Sequence, residues 1–363
     1  MTDPRPVLLV TGIAPPDRVG AFAALHAREN IELALFGGRS HHATGTVADL
    51  PVPHRQVSQR AVYRLAASGN YRAVICGTAG RIALPAAWRG ARKARVPFLL
   101  WSALWAHPRT PAHRLAGAPL LKRIYRDADV VVTYGPHVTD FVIGFGAHAI
   151  AEAPQAVDLD FWCADAPDPE RLAPFTAIAV GRNARYKGEP ELLQAWTDST
   201  LLPPAAALGI VGDRPASAAP LPTGVKALGA ADPARLRNLY AGSDVLVMAA
   251  IETRETKEPW GLVANEAMAQ GTAVIATDAV GAASGGLIVD GETGLVVPGG
   301  DTGALAAALR RLAEDEPLRR RLADAGRKHV AAFSYEAWAQ GMAHGLRLCG
   351  TSVSVGDTEA PDR

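Results

Sequence analysis

The first half of the chain alternates short apolar runs with helical patterns, and this alternation restricts the possible fold most strongly. Runs such as PVLLVTG, YRAVICG and DVVVTYG stand between helical segments such as GAFAALHAREN. Strands that are apolar at nearly every position are typical of parallel sheets covered by helices on both faces. The pattern therefore predicts an α/β domain built on a parallel sheet.

A second strand–helix series begins after the Pro- and Asp-rich stretch WCADAPDPERLAPF, which we interpret as a linker. A length of 363 residues, with 48% hydrophobic and 20% charged residues, fits two domains. We expect an N-terminal domain at 1–163 and a C-terminal domain at 164–350, whose last helix packs back on the first domain. The tail at 351–363 has little to bury and is expected to be disordered.

The formal net charge of +1 hides two halves of opposite sign. Residues 1–150 carry 18 basic and 8 acidic side chains, which gives +10, and the other 19 basic and 28 acidic side chains give −9. Residues 51–126 contain 14 basic side chains and no acidic one. Two interpretations stay open: arginines on solvated helix faces, or a surface that attracts an anionic acceptor or membrane. Nucleic-acid binding is not expected, because no recognition motif occurs and few aromatic residues are interleaved.

The three cysteines, Cys76, Cys163 and Cys349, are scattered singly. They form no CxxC pair and no His/Cys pair at ligand spacing, so we expect buried free thiols rather than a disulfide framework or a zinc site. No run of eighteen apolar residues and no signal-peptide pattern occurs. We therefore expect a cytoplasmic protein without a transmembrane segment.

Loops at the carboxyl ends of strands are the candidate binding sites of an open α/β sheet. The first, VTGIAPPDRVGAF, lacks both GxGxxG and GxxxxGK[ST], which argues against a nicotinamide-dependent dehydrogenase and a phosphate-loop NTPase. The second, AVGRNARYKGEP, presents Arg182, Arg185 and Lys187. Guanidinium and ammonium groups suit a diphosphate. The alternative is an ordinary solvated basic turn.

A third loop, in KEPWGLVANEAMAQGTAVIAT, contains two glutamates, Glu258 before a predicted helix and Glu266 inside it. If the intervening residues are helical they rise about 12 Å, whereas a pair of glycosidase carboxylates lies roughly 5 to 9.5 Å apart. The spacing therefore favours two contacts along an extended ligand such as a nucleotide sugar. The helix start would also offer backbone N–H groups to a phosphate. The alternative for Glu266 is a pair with a surface cation.

The segment EPWGLVANEAMAQGTAVIATDAVGAASGGLIVDGETGLVVPGGD strongly resembles the donor-binding signature of family 4 retaining glycosyltransferases. VGRNARYKG, LGIVGDRP and VKALGAADPARLRNLYAGSDVLVMAA resemble upstream segments of that family, in the expected order. The resemblance covers about residues 176–330. It implies the GT-B fold, in which two Rossmann-like parallel-sheet domains face each other across a cleft, with the donor bound by the C-terminal domain and the acceptor by the N-terminal one.

The resemblance also implies the site residues. Arg182 and Lys187 would bind the donor diphosphate, Glu258 would lie near the donor sugar, and Glu266 would hold ribose hydroxyls. The other implied donor contacts are the backbone from Trp260 through Gly261 and Leu262 to Val263, the base pocket at Ala227 and Leu228, and Gly20 in the first loop.

Several positions depart from the family pattern. PPDRVG stands where the family has a Gly-Gly pair, which leaves Gly20 as its counterpart. His107 lies a few residues later than the histidine that the family places near the reacting centre. Gln155 and its neighbours replace an Asn-Gly-Val-Asp turn, and the loop IETRETKEP is somewhat longer than common.

The implied activity is sugar transfer from a nucleotide-diphosphate sugar, UDP- or GDP-linked, to an acceptor hydroxyl by front-face displacement with retention. Arg182, Lys187, Glu258 and His107 are the expected catalytic residues. No cofactor and no obligatory metal are expected. The acceptor is expected to be anionic or membrane-associated, which would place the protein at the cytoplasmic face of a membrane. Two alternatives are a nucleotide-sugar epimerase of GT-B fold and a non-catalytic nucleotide-sugar-binding subunit.

Overall fold

The computed structural model of the protein describes residues 3–38, 49–106, 108–111, 115, 117–215 and 220–352. Among the described residues, the first sheet has seven strands: β1 (Val7–Thr11), β2 (Ile31–Leu35), β3 (His54–Gln56), β4 (Ala73–Gly77), β5 (Phe98–Ser102), β6 (Val130–Thr133) and β7 (Ile150–Glu152). Their order is β3-β2-β1-β4-β5-β6-β7, and the pairs are parallel. The helices of this domain are α1 (Val19–Glu29), α2 (Ala61–Ala66), α3 (Ala83–Ala94), α4 (Ala118–Asp127) and α5 (Pro136–Gly144).

The second sheet, again counted within the described residues, has six strands: β8 (Phe175–Val180), β9 (Ala206–Val211), β10 (Val225–Gly229), β11 (Val245–Met248), β12 (Ala273–Thr277) and β13 (Leu295–Val297). Their order is β10-β9-β8-β11-β12-β13, also parallel. The remaining helices are α6 (Leu159–Trp162), α7 (Glu189–Asp198), α8 (Pro233–Ala241), α9 (Val263–Ala269), α10 (Gly281–Ser284), α11 (Thr302–Glu314), α12 (Glu316–His329) and α13 (Tyr335–Leu348). The prediction of two parallel-sheet α/β domains is confirmed.

The central strands are buried on both faces, as their composition predicts. Every residue of β5, β6, β11 and β12 is buried. Burial of an apolar side chain stabilises the fold by about 1.5–3 kcal/mol, so helices must cover both faces of each sheet. This arrangement leaves the loops at the carboxyl ends of the strands available for a site.

The last helix, α13, returns to the first domain. Its Trp338 is fully buried and packs edge-on against Phe22 of α1 and Trp101 of β5, with ring centroids 5.9 and 5.4 Å apart. Past α13, the carbonyl of Thr351 accepts a hydrogen bond from Arg72 Nε (2.7 Å). Ser352 Oγ donates to Glu29. These two residues contact the first domain and do not belong to the tail in which the prediction placed them.

All three cysteines are free. Cys76 is buried, as predicted, whereas Cys163 and Cys349 are only half-buried because each lies at the end of a helix near the surface. Within the described ranges, no helix combines the length and the apolar character that crossing a membrane requires.

The carboxyl ends of the two sheets face each other across a cleft. Trp105, which follows β5, donates through Nε1 to the carbonyl of Glu258, which lies between β11 and α9 (3.1 Å). His137, at the start of α5, places Nε2 3.4 Å from the Pro259 carbonyl. The loops predicted to carry the chemistry therefore lie at the junction of the domains.

Candidate functional site

The basic loop after β8 is held tightly against the end of β11. Gly188 has φ +72°, and a Cβ there would lie 1.8 Å from the carbonyl oxygen of Ala249. A second close approach lies at the start of the loop. A Cβ on Gly212, the residue after β9, would lie 2.0 Å from the Gly181 carbonyl oxygen. Glycine at both contacts lets two backbones meet, and the short 3₁₀ helix Arg185–Lys187 is thereby fixed above the ends of the strands.

We predict that Gly188→Ala destabilises the protein more than Gly300→Ala. Both glycines have positive φ, +72° and +85°, but nothing lies within 4 Å of a Cβ at Gly300. The matched control therefore measures backbone strain alone, about 1–2 kcal/mol, whereas Gly188→Ala adds a clash with backbone. The free energies of unfolding from denaturant titration test this. Equal losses would show that the β8 loop does not pack against Ala249 as described.

The three cations of this loop have different partners. Lys187 Nζ lies 2.5 Å from Glu258 Oε2. Arg182 is exposed and lies beside Tyr186, whose hydroxyl accepts from Arg182 Nη2 (3.2 Å). Arg185 instead pairs with Glu191 of α7, at 2.5 Å. The structure thus brings Lys187, Arg182 and Glu258 together and directs Arg185 away from them.

A pocket lies where these groups meet. Its lining includes the ends of β8, β9 and β11 together with Gly181, Arg182, Lys187 and Glu258. The Glu258 side chain is 9% exposed, and its backbone is fixed by Trp105 on one side and by the amide of Gly281 (3.0 Å) on the other. A pocket that presents a buried carboxylate beside an ammonium and an exposed guanidinium is suited to an anionic, polyhydroxylated ligand.

The helix that follows is shorter than its sequence suggests. Pro259 to Leu262 are not helical, and α9 spans Val263–Ala269. The helical rise assumed for the whole interval from Glu258 to Glu266 therefore applies only to its last part. Gly261 has φ +93°, and a Cβ there would lie 2.3 Å from Met248 Cε. Trp260 is buried, and its ring packs against His137 and Phe333.

Glu266 faces a phenol instead of a surface cation. Tyr240 Oη donates to Glu266 Oε2 (2.9 Å), and the interpretation as a surface ion pair is wrong. Burial raises the pKa of Glu266 to about 7, although the hydrogen bond from Tyr240 opposes this shift. Glu266 is therefore a carboxyl group that titrates near neutral pH.

The predicted base pocket falls on an irregular edge of the sheet. The pairing of β10 with β9 shifts register between Ala227 and Gly229. Leu228 lies at this bulge, and its carbonyl accepts from Arg235 Nη1 (3.1 Å). Bulges at sheet edges redirect side chains, which is compatible with a pocket wall here.

The structure describes one of the two predicted site residues of the N-terminal domain, Gly20, and not the other, His107. Gly20 lies in the first turn of α1, where a Cβ would be 2.3 Å from the Tyr335 ring. The structure gives this glycine a packing role against α13, and its donor contact stays a prediction. His107 lies outside the described residues.

Sequence reasoning missed the aromatic contact between the domains. His137 packs against Trp105 and Trp260, with ring centroids 4.9 and 6.0 Å apart, and burial lowers its pKa to about 4. Lys257 Nζ lies 4.1 Å from the Trp105 ring centroid. The turn GPH after β6 is the only local signal for this contact, because a glycine and a proline there mark a helix start at the cleft edge.

Comparison with known sequences identifies a family that part of this chain matches. Residues 165–329 match the family described as Glycosyl transferases group 1. The D-inositol 3-phosphate glycosyltransferase of Corynebacterium urealyticum is 29% identical over 309 residues, which cover 72% of this chain and 69% of that protein. The enzyme of the same name from Corynebacterium diphtheriae is 39% identical over 111 residues, 30% of this chain. The matched stretch spans 24% of that relative's length.

Solved structures share the whole architecture. Anabaena Alr3699/HepE in complex with UDP has a TM-score of 0.74 at 18% identity, and the match covers 94% of this chain and 99% of that one. Sucrose-phosphate synthase from Thermosynechococcus elongatus has a TM-score of 0.67 at 21% identity, covering 94% and 98%. At these identities the likeness concerns the fold, and the predicted GT-B fold is confirmed. Residues 165–329 therefore form a domain that matches the Glycosyl transferases group 1 family, within a chain of GT-B fold.

Proposed function

We propose that this protein transfers a sugar from a nucleoside-diphosphate sugar to an acceptor hydroxyl with retention of anomeric configuration. The observation that carries the proposal is the pocket at the carboxyl edge of the second sheet, where Lys187, Arg182 and Glu258 converge. Glu266 lies on the helix that follows. Cations for a diphosphate, with carboxylates on either side for sugar hydroxyls, match the parts of such a donor.

In this proposal the chemistry is electrostatic. The acceptor hydroxyl forms a bond to the anomeric carbon on the face from which the diphosphate leaves, and a phosphate oxygen of the leaving group takes the hydroxyl proton. Lys187 and Arg182 stabilise the negative charge that grows on the diphosphate as the glycosidic bond breaks. The route needs no metal, and we propose metal-independent transfer without a further cofactor.

UDP is our first choice of nucleotide, supported by the complexes with UDP in the structural neighbours. GDP remains the second choice. We further propose an anionic acceptor, supported by the names of the relatives, which are D-inositol 3-phosphate glycosyltransferases, and by the 14 basic side chains of residues 51–126. A cytoplasmic protein at a membrane face would fit such an acceptor if it were a lipid headgroup.

The proposal is tested by nuclear magnetic resonance of reactions that contain UDP- or GDP-linked sugars with phosphorylated polyols, and with their unphosphorylated counterparts as matched controls. We expect nucleotide release that depends on the phosphorylated acceptor, and a product with the donor's anomeric configuration. Conversion of the donor into another nucleotide sugar, without an acceptor and without net release of nucleotide, would favour a nucleotide-sugar epimerase of GT-B fold. Inversion would contradict the front-face route.

A further inference from the structure

The loop between β1 and α1 places a buried arginine at the cleft. Pro16–Arg18 form one 3₁₀ turn before α1, and Arg18 is only 9% exposed. Its guanidinium lies 5.5 Å from the Trp101 ring centroid, and its Nη2 donates to Gln155 Oε1. This is an unusual setting for an arginine, because long charged side chains are almost never buried unless they are paired.

The pairing of Arg18 is incomplete. Nη1 is buried and has no hydrogen-bond partner among the described residues. The nearest carboxylate is that of the adjacent Asp17, whose Oδ2 lies 3.8 Å from Arg18 Nε, outside hydrogen-bond distance. A buried donor on a charged group destabilises the protein when it is left unsatisfied. An anion that accepts from Nη1 would remove this penalty.

Hydrogen bonds connect Arg18 to helix α9. The carbonyl of Gln155 accepts from Asn265 Nδ2 (3.4 Å), and Asn265 Oδ1 accepts from Trp260 Nε1 (2.8 Å). Asn265 immediately precedes Glu266 on α9. The arginine is therefore two hydrogen-bonded contacts away from the helix whose start is expected to face the diphosphate.

The charges of the pocket leave room for another cation. Lys187 is paired with Glu258 and Arg185 with Glu191. Arg182 has no carboxylate partner within the described part of the chain. A diphosphate carries two or more negative charges, and these three cations of the β8 loop oppose it with one that is unpaired among the described residues. Arg18 is a buried cation of the first domain that hydrogen bonds connect, through Gln155, to Asn265 of α9.

We propose that Arg18 is a ligand of the donor diphosphate, contributed by the N-terminal domain, with Nη1 donating to a phosphoryl oxygen. This inference rests on the proposed function. It gives the first loop, which lacks the Gly-Gly pair of the family, a side-chain contact to the phosphate. Donor binding then involves both domains, since one anion is held by Arg18 on one side and by Arg182 and Lys187 on the other.

The test compares the affinities of UDP, GDP and ADP with those of the matching nucleosides by calorimetry, in wild type and three variants. In Arg18→Gln the preference for the diphosphate over its nucleoside should fall at least about tenfold, because a charge-assisted hydrogen bond is lost. Arg18→Lys should give an intermediate loss, since it keeps the charge without the planar fork. Arg28→Gln, which removes an arginine that pairs with Glu336 at the other end of α1, should retain the wild-type preference.

Each outcome decides between the two proposals. An unchanged preference in both Arg18 variants, or an equal loss for nucleoside and diphosphate, would overturn the role of Arg18 and leave the proposed function intact. If Arg18→Gln does not fold, the intermediate loss in Arg18→Lys still supports the proposal, and its absence overturns it. A folded wild-type protein without any preference for a diphosphate would overturn both.

Discussion

Replacing Lys187 by alanine is expected to lower turnover by about 10²-fold or more while the protein stays folded. The ammonium lies 2.5 Å from Glu258 in the lining of the pocket, where it would stabilise the charge of the departing diphosphate. Without it, Arg182 is the one pocket cation of the β8 loop that remains to oppose that charge, and Glu258 is left as a buried carboxylate without its partner. Steady-state rates with the donor found by nucleotide screening give the comparison.

Arg185→Ala is the matched control for this prediction. Arg185 belongs to the same 3₁₀ turn and carries the same charge, but its side chain is exposed and pairs with Glu191. Its loss should leave turnover within a few-fold of wild type, because exposed ion pairs contribute about 0–1 kcal/mol. Near-normal turnover in Lys187→Ala, or equal losses in the two variants, would contradict the assignment of Lys187 to the diphosphate.

A nucleotide sugar should bind more tightly as the pH rises from about 6 to about 8, by up to about tenfold. Burial raises the pKa of Glu266 to about 7, so the carboxylate that accepts from ribose hydroxyls forms across this window. The diester diphosphate of a nucleotide sugar has no titration of its own there. Glu266→Gln should bind weakly at both pH values and lose the dependence.

The free energy of unfolding of the ligand-free protein should decrease as the pH rises, whereas binding of the nucleotide sugar tightens. Burial raises the folded-state pKa of Glu266 above the ordinary value of 4.5, so the folded state holds a proton that the unfolded chain has released. The contribution of this group to stability is full below about pH 4.5 and decreases as the pH rises through about 7. Melting curves of Glu266→Gln should therefore show less destabilisation over this interval than those of wild type.

A donor with a 2′-deoxyribose separates the ribose role from a general effect of charge. It should bind wild type more weakly than the ribose form, and Glu266→Ala should not distinguish the two. If the variant still prefers ribose, or if the affinity of wild type is flat with pH, Glu266 does not hold the ribose hydroxyls.

The strands of both sheets could be predicted from the sequence, because a strand that is buried on both faces is a continuous run of apolar residues. VVVT in β6 and AVIAT in β12 are apolar runs that are buried throughout, and a strand of this kind is recognisable without knowledge of its neighbours. The start of helix α9, which follows the third loop, was predicted less accurately. Gly261 has a positive φ and packs against Met248 of β11, and α9 begins only at Val263.

The contacts between the domains could not be read from local patterns. Trp105 meets Glu258 across 153 positions of sequence, and His137 meets Pro259 across 122. These contacts depend on how the two sheets face each other. The hydrophobic periodicity of a single segment contains no information about that arrangement. Arg18 was missed for the same reason, since its burial depends on Trp101 and Gln155.

The most direct measurement is calorimetric titration of the folded wild-type protein with UDP, GDP, ADP and their common sugars, alongside Lys187→Ala and Glu266→Ala. A donor site built from Lys187, Arg182, Glu258 and Glu266 predicts that one nucleotide class binds at a single site and that each substitution weakens this binding. Absence of binding to every nucleotide, with the protein folded, would contradict the donor site and favour a degenerate subunit. Binding that is unchanged in both variants would place the nucleotide elsewhere in the molecule.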